Sequence, residues 1–323
     1  MHAQRSQALT TVVSDSTVNT TIPPDAGVIA AVLAQLGTQL IGKEHQIQLA
    51  LACLIGRGHM LIEDVPGVGK TTLAQVLAVT LGLPTRRIQF TSDLLPGDIT
   101  GVSVYDARTQ QFEFKSGPIF TSIVLADEIN RAPPRAQSAL LEAMEERQVT
   151  VDGQTHPLND HFFVIATQNP SDQLGVYPLP ESQLDRFLAG LELGYPDSAS
   201  ERELLRGGDR RRTVDALSAL IDSDTLTQWS DYASNLPVSD LLLDYVQALL
   251  AQTRLAGSNG LSPRAGLQLL TMARAWATVQ GESCVVPEDV QAVFTAVAGH
   301  RLTGSVRDGI THCRSVIESV PVP

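Results

Sequence analysis

Lysine is almost absent from this chain. Of 23 lysines and arginines only Lys43, Lys70 and Lys115 are lysines, so a lysine at any given position stands out from background. Positive charge is also outweighed: 35 acidic residues leave a formal net charge of −12, which argues against non-specific attachment to nucleic acid or to an anionic membrane surface. A local basic pore inside an acidic assembly is still compatible with that total. Cysteine is sparse too. Cys53, Cys284 and Cys313 are odd in number and show no metal-ligand spacing, which fits reduced, mostly buried thiols in a cytoplasmic protein. Long apolar runs are missing: those near Leu241 and Leu267 are too short and too interrupted to cross a bilayer, so no membrane insertion is expected. The N-terminus shows no compact apolar stretch followed by a small-residue cleavage site, and no signal peptide is expected.

What remains is an ordinary globular composition, with 323 residues and 43% hydrophobic content, long enough for two domains with their own cores. Residues 1–25 are rich in Thr, Ser, Val and Gln, lack a helical period and end in Pro23-Pro24; they read as a flexible tail. Helical patterning begins near Val28 and resumes over 45–54, broken at Ile41-Gly42. From there strands and helices alternate: strands over 59–63, 87–90, 122–126, 162–166 and 187–193, and helices over 71–81 and 134–147. Hairpins are expected at 102–105 against 112–114 and at 149–151 against 156–158, the second around Asp152-Gly153. Alternation of this kind predicts a parallel α/β sheet flanked by helices, with ligand at its carboxyl edge, over 26–196. After Pro196 the strand signal fades, and helices over 201–206, 241–254, 264–280 and from Pro287 onward predict an all-α domain over 197–323.

One segment restricts the chemistry more than any other. Residues 61–72 read Leu-Ile-Glu-Asp-Val-Pro-Gly-Val-Gly-Lys-Thr-Thr, an apolar strand running into a glycine-rich turn and then a helix. In Pro66-Gly67-Val68-Gly69-Lys70-Thr71-Thr72, small residues let backbone N–H groups fold around a phosphate at a helix N-terminus. Lys70 can reach terminal phosphates, and the Thr71 hydroxyl can bind the Mg2+ that bridges them, so ATP and magnesium are the expected ligands. The pattern G-x-x-x-x-G-K-[ST] would require glycine at 64, where the chain has Asp64, read as a tolerated change at the strand exit.

Further along, a buried strand ends in Asp127-Glu128. Asp127 would complete the magnesium shell, and Glu128 would polarise the water attacking the terminal phosphate. Asn169, after the next apolar strand, fits either a contact to that water or a plain Asn-Pro turn; beside the other motifs the contact is favoured. Phosphoryl transfer also needs an arginine. Arg186, just before the last strand, lies on a face that a neighbouring subunit could meet, and Arg264, opening a helix of the second domain, could close that domain onto the nucleotide; each also fits a plain surface arginine. Arg131 and Arg135 follow the acidic pair and rank lower.

In this order the motifs resemble an AAA+ ATPase of the MoxR family. The most diagnostic stretch runs Leu125-Ala126-Asp127-Glu128-Ile129-Asn130-Arg131-Ala132-Pro133-Pro134 and on through Gln137 to Glu146, with Ala166-Thr167-Gln168-Asn169-Pro170 and the segment 179–187 beside it. The resemblance covers about 28–302. It implies a P-loop AAA+ core followed by a helical lid, assembled as a hexameric ring with ATP at subunit interfaces. By position, Lys70 and Thr71 resemble the first nucleotide motif, Asp127 and Glu128 the second, and Asn169 the first sensor. Arg186 resembles the finger supplied in trans, Arg264 the sensor of the lid, and Ile41-Gly42 the segment flanking the adenine. It also implies chaperone-like maturation of a protein substrate, alongside a separately encoded partner with a von Willebrand factor A domain. Two alternatives stand beside this: a ring motor on nucleic acid, disfavoured by charge and by hairpins poor in Lys and Arg, and a nucleotide-operated scaffold with little turnover, disfavoured by Glu128, Asn169 and Arg186.

Overall fold

In a computed structural model, residues 22–169, 176–206, 214, 216–255 and 260–322 are described. The tail expected over 1–25 therefore falls outside them as far as residue 21. Asp25 already belongs to a helix, accepting a hydrogen bond from the Gly27 N–H at 2.7 Å as the cap of α1 (Ala26–Gln39). α2 (Glu44–Ile55) follows and leads into β1 (Met60–Glu63), whose residues are all buried.

From β1 the chain turns into α3 (Lys70–Thr80), then β2 (Thr85–Gln89), the short α4 (Pro96–Thr100) and a hairpin of β3 (Gly101–Asp106) and β4 (Gln111–Ser116). β5 (Ile123–Asp127) leads through a 3-10 turn to α5 (Pro134–Glu146) and the second hairpin, β6 (Gln148–Val151) and β7 (Gln154–Pro157). Asp152 and Gly153, at its tip, both have positive φ, 50° and 78°, as a tight two-residue turn requires. β8 (Phe163–Gln168), α6 (Glu181–Leu184) and β9 (Ala189–Leu191) complete the sheet-forming part.

The sheet is parallel, in the order β2-β5-β8-β1-β9. Its three central strands, β5, β8 and β1, are buried throughout and apolar up to their carboxyl ends, as strands covered on both faces must be. Alternate residues serve opposite faces. Ile123 and Leu125 join a cluster with α1, α2 and α3, while Val124 and Ala126 join one with α5. β2 is an edge strand, and its exposed Arg86 and Arg87 suit that position. Register brings the exits of β1, β8 and β5 to one carboxyl edge, with Glu63 opposite Gln168 and Ala126 opposite Ala166.

The rest of the described chain is helical: α7 (Ser198–Arg206), α8 (Ser223–Asn235), α9 (Asp240–Leu255), α10 (Pro263–Gln280), α11 (Pro287–Thr303) and α12 (Val306–Ser319). The sequence patterning did not mark α8 or α12. In α12 the buried residues, Val306, Gly309, Cys313 and Val316, recur every three or four positions along one face, and Ser305 supplies the cap. These helices do not stand off from the sheet. α10 packs against α2 and α11 against β9, and Leu269, Met272 and Phe294 belong to the same apolar cluster as α1 to α3. A further tie comes from β1, where Glu63 accepts hydrogen bonds from Val306 N–H at 2.6 Å and Ser305 Oγ at 3.2 Å.

Candidate active site

The phosphate loop owes its shape to backbone that side chains resist. Gly67 and Gly69 have φ of +90° and +105°. At Gly67 an added Cβ would meet nothing within 4 Å, so the left-handed conformation, not crowding, demands glycine. Gly69 caps α3 without any side-chain hydrogen bond, leaving the helix N-terminus open to an anion. Asp64 is more than a tolerated change. Its carboxylate accepts from the N–H groups of Val65 at 2.8 Å and Gly194 at 2.7 Å, tying the loop to the chain that leaves β9. Glycine could not make that tie.

Lys70 is buried at the start of α3, and its Nζ lies 2.6 Å from the carbonyl of Asp64, 3.3 Å from that of Val65 and 3.4 Å from Asn169 Oδ1. Burial lowers its pKa, while the charges of Asp64, Asp127 and Glu128 work in the opposite direction. Asn169 sits between Lys70 and Glu128, donating through Nδ2 to Glu128 Oε1 at 2.9 Å. Its successor Pro170 lies outside the described residues.

The acidic pair is held by groups that sequence reasoning missed. Thr167 Oγ1 donates to Asp127 Oδ1 at 2.7 Å and accepts from the Glu128 N–H at 2.9 Å, so one buried hydroxyl aligns both acids. Glu128 itself adopts a left-handed φ of 59°. Its Oε2 accepts from Gln89 Nε2 at 3.2 Å and pairs with Arg131 Nε at 3.0 Å. Arg87 is paired with Asp127, Nε being 3.1 Å from Oδ2. Arg87 and Gln89 stand on β2, a strand expected from the sequence, but which acids they face follows only from the pairing of β2 with β5.

These residues line one cavity of about 390 Å³, bounded by Lys70, Thr71, Thr72, Arg87, Gln89, Asp127, Glu128 and Asn169 with Pro66, Gly67 and Gly69. A second cavity of about 390 Å³ shares Pro66, Gly67, Gly69 and Thr72 with it and is walled by Leu40, Ile41, Lys43, Val68, Tyr195, Leu204 and Leu205. Gly42, with φ +70°, packs so closely on α7 that a Cβ would come within 2.5 Å of Ser200 Oγ. A polar cleft joined to a largely apolar one suits the phosphates and the base of a nucleotide. Asp127 and the Thr71 hydroxyl offer oxygen ligands on the phosphate side, as a hard cation requires. Among the described residues no group of three or more His, Cys, Asp or Glu could hold a metal unaided. A cation here needs phosphate oxygens as well, and the residues fit magnesium bound with a nucleotide.

Arg186 and Arg264 line neither cavity. Both turn to Glu145 on α5: Arg186 Nη2 is 3.1 Å from Oε2, and Arg264 Nη1 is 3.1 Å from Oε1. Arg264 Nε also approaches Asp185 at 3.9 Å. This corrects the expectation that Arg264 closes over the nucleotide of its own chain. The cause is the docking of α10 on α2, which sets the N-terminus of α10 beside the C-terminus of α5. Arg131 spends its charge on Glu128 of the same chain.

Parallel sheet, phosphate loop, strand-end acids, polar sensor and helical lid together define a P-loop ATPase of the AAA+ class. The sequence matches the family described as ATPase family associated with various cellular activities (AAA) over residues 59–189 and the AAA lid domain over 250–318. The second match carries the likeness beyond residue 302, where the resemblance read from sequence stopped. The chain is 45% identical over 265 residues to an uncharacterized protein, YeaC, of Bacillus subtilis, covering 81% of this chain and 83% of that protein. It is 41% identical over 275 residues to chaperone MoxR1 of Mycobacterium tuberculosis, covering 81% and 72%. The crystal structure of a putative ATPase from Cytophaga hutchinsonii superposes with a TM-score of 0.81 at 33% identity, over 92% of this chain and 96% of that one. The chain belongs to the MoxR family of AAA+ ATPases, and its activity is ATP hydrolysis.

Proposed function

We propose that this protein is a ring-forming, magnesium-dependent ATPase motor that remodels or matures a partner protein complex. The observation that carries the reading is the division of the site. The phosphate loop, both acids and Asn169 line one cleft, whereas Arg186 and Arg264 lie together elsewhere on the same chain. A second copy would supply them, which supports ATP at subunit interfaces and, by family analogy, a hexamer. In that arrangement Pro66 to Thr72 embrace the phosphates, Ile41 and Gly42 border the adenine, and Thr71 and Asp127 hold magnesium. Bound metal would draw charge from the phosphate oxygens. Glu128, oriented by Asn169, takes the proton of the attacking water.

The working division is a core over 26–196 and a lid over 197–323, preceded by a tail over 1–25. The partner is a separately encoded protein with a von Willebrand factor A domain, and the substrate is a protein. No helix among the described residues is long and apolar enough to cross a membrane. Buried free thiols at Cys53 and Cys313 and the dependence on ATP support action in the cytoplasm.

The test is Glu128→Gln. This variant is expected to bind ATP and assemble yet turn over at least ~100-fold slower, as the loss of a general base predicts. Affinity capture with it in the presence of ATP should retain the substrate and partner. Near-normal hydrolysis would sink the assignment, and an ATPase rate raised by DNA in a salt-dependent way would move the function to nucleic acid.

A further inference from the structure

The lid holds one arginine that the nucleotide cleft does not use. Arg301, on α11, has a side chain only 5% exposed, an unusual place for a group that never loses its charge. Burying such a cation is costly unless its donors are matched. Here the match comes largely from one short segment of the core. Nε donates to Asp185 Oδ1 at 2.8 Å. Nη2 donates to the carbonyls of Phe187 at 2.7 Å and Asp185 at 3.3 Å, while Nη1 donates to the Val297 carbonyl of its own helix, meets His300 Nε2 at 3.0 Å and lies 3.5 Å from the Leu188 carbonyl. Gln268 on α10 takes a further hydrogen bond from Nη2 and itself approaches the Asp185 carbonyl at 3.4 Å.

The gripped residues flank Arg186 on both sides. Its own guanidinium pairs with Glu145 on α5. A planar fork that fixes an acid and several carbonyls defines a backbone direction as well as a distance, which a single lysine contact could not do. A tie serving only to fasten lid to core has no reason to select this segment, and Glu63 with α12 already provides one. We propose that Arg301 is a positioning residue for Arg186: the lid helix α11 sets the backbone from Asp185 to Leu188 and so aims Arg186 out of its own subunit. The inference rests on the reading of Arg186 as the group that completes a neighbour's ATP site. It makes the lid part of the arginine side of the interface, so a shift of α11 moves the finger with it.

The experiment compares Arg301→Lys with Arg186→Ala. Arg301→Lys should lower kcat at least tenfold while the Kd for a fluorescent ATP analogue stays within twofold of the parent protein. Mixing its subunits with Lys70→Ala subunits should restore activity, because the latter carry an intact finger. Adding Arg301→Lys to Arg186→Ala should cause no further loss of kcat. Should Arg301→Lys fail to fold, Asp185→Asn, which keeps the size of the side chain, takes its place in the same measurements. A Kd that worsens in step with kcat, or failure of rescue while Arg186→Ala is rescued, overturns the positioning role and leaves the finger in place. Failure to rescue Arg186→Ala overturns both.

Discussion

Two carboxylates of this chain each gather arginine, and they lead different lives. Glu128 lies in the cleft, held by Asn169, Gln89 and Arg131 and anchored through its N–H to Thr167. Glu145 lies at the end of α5, where it holds Arg186 and Arg264 at partly exposed positions. The first cluster is a finished device, because its members sit on, or directly follow, adjacent strands of one sheet. The second is a resting place, because both of its arginines are on segments beyond the cleft and are paired with an acid that solvent also reaches. On the proposed reading, a site whose one half is built and whose other half is parked needs a neighbour before it can turn over, yet can bind nucleotide without one.

The contrast can be broken at four places. Removing the parked cation should have the largest effect: Arg186→Ala is expected to lower kcat about 10³-fold, the lower range for an arginine finger. ATP binding to the isolated subunit should not change, and a loss of affinity in a direct binding titration would place Arg186 on the built side instead. Thr167→Val keeps the shape and deletes the hydroxyl that aligns both acids. A misplacement on the order of an ångström can cost up to about 10²-fold, so a fall in kcat of roughly 10–100-fold is expected; unchanged turnover would show that the sheet alone positions Asp127 and Glu128.

Asp64→Gly restores the regular phosphate-loop pattern yet should weaken the protein. Two half-buried N–H groups, of Val65 and Gly194, lose their acceptor, which costs up to about 1–3 kcal/mol, read as a lower thermal midpoint. A gain in stability would mean that the tie to Gly194 contributes little. Glu145→Gln should act least and in the opposite direction. Ion pairs at partly exposed positions are worth about 0.2–1 kcal/mol, so releasing the arginines should raise steady-state ATPase by at most about fivefold. A fall in rate would show that Glu145 aims the arginines rather than restraining them.

How much of this could be read beforehand depends on how local each feature is. Lys70 and Thr71, the acids at the end of β5 and the alternation of strand and helix were legible because each is carried by neighbouring residues and a short period. Asp64 was visible as a departure, but its partner Gly194 is far along the chain, so its purpose was not. Arg87 and Gln89 were readable as part of a strand and no more. Thr167 gave no signal beyond being a hydroxyl in an apolar strand. Arg264 was expected over the nucleotide and stands instead beside Glu145 of its own chain, since nothing near it in sequence says which surface α10 will cover.

The sequence by itself determined the class of chemistry. A phosphate loop and strand-end acids are made by contiguous residues, and the backbone geometry they demand admits few other readings. Tertiary structure alone decided how that chemistry is divided. The pairing of β2 with β5 brings Arg87 and Gln89 to the acids, and the docking of α10 and α11 on α2 and β9 carries Arg264 and Arg301 to the segment around Arg186. Both depend on surfaces far apart in the chain, whose complementarity exists only once each has folded.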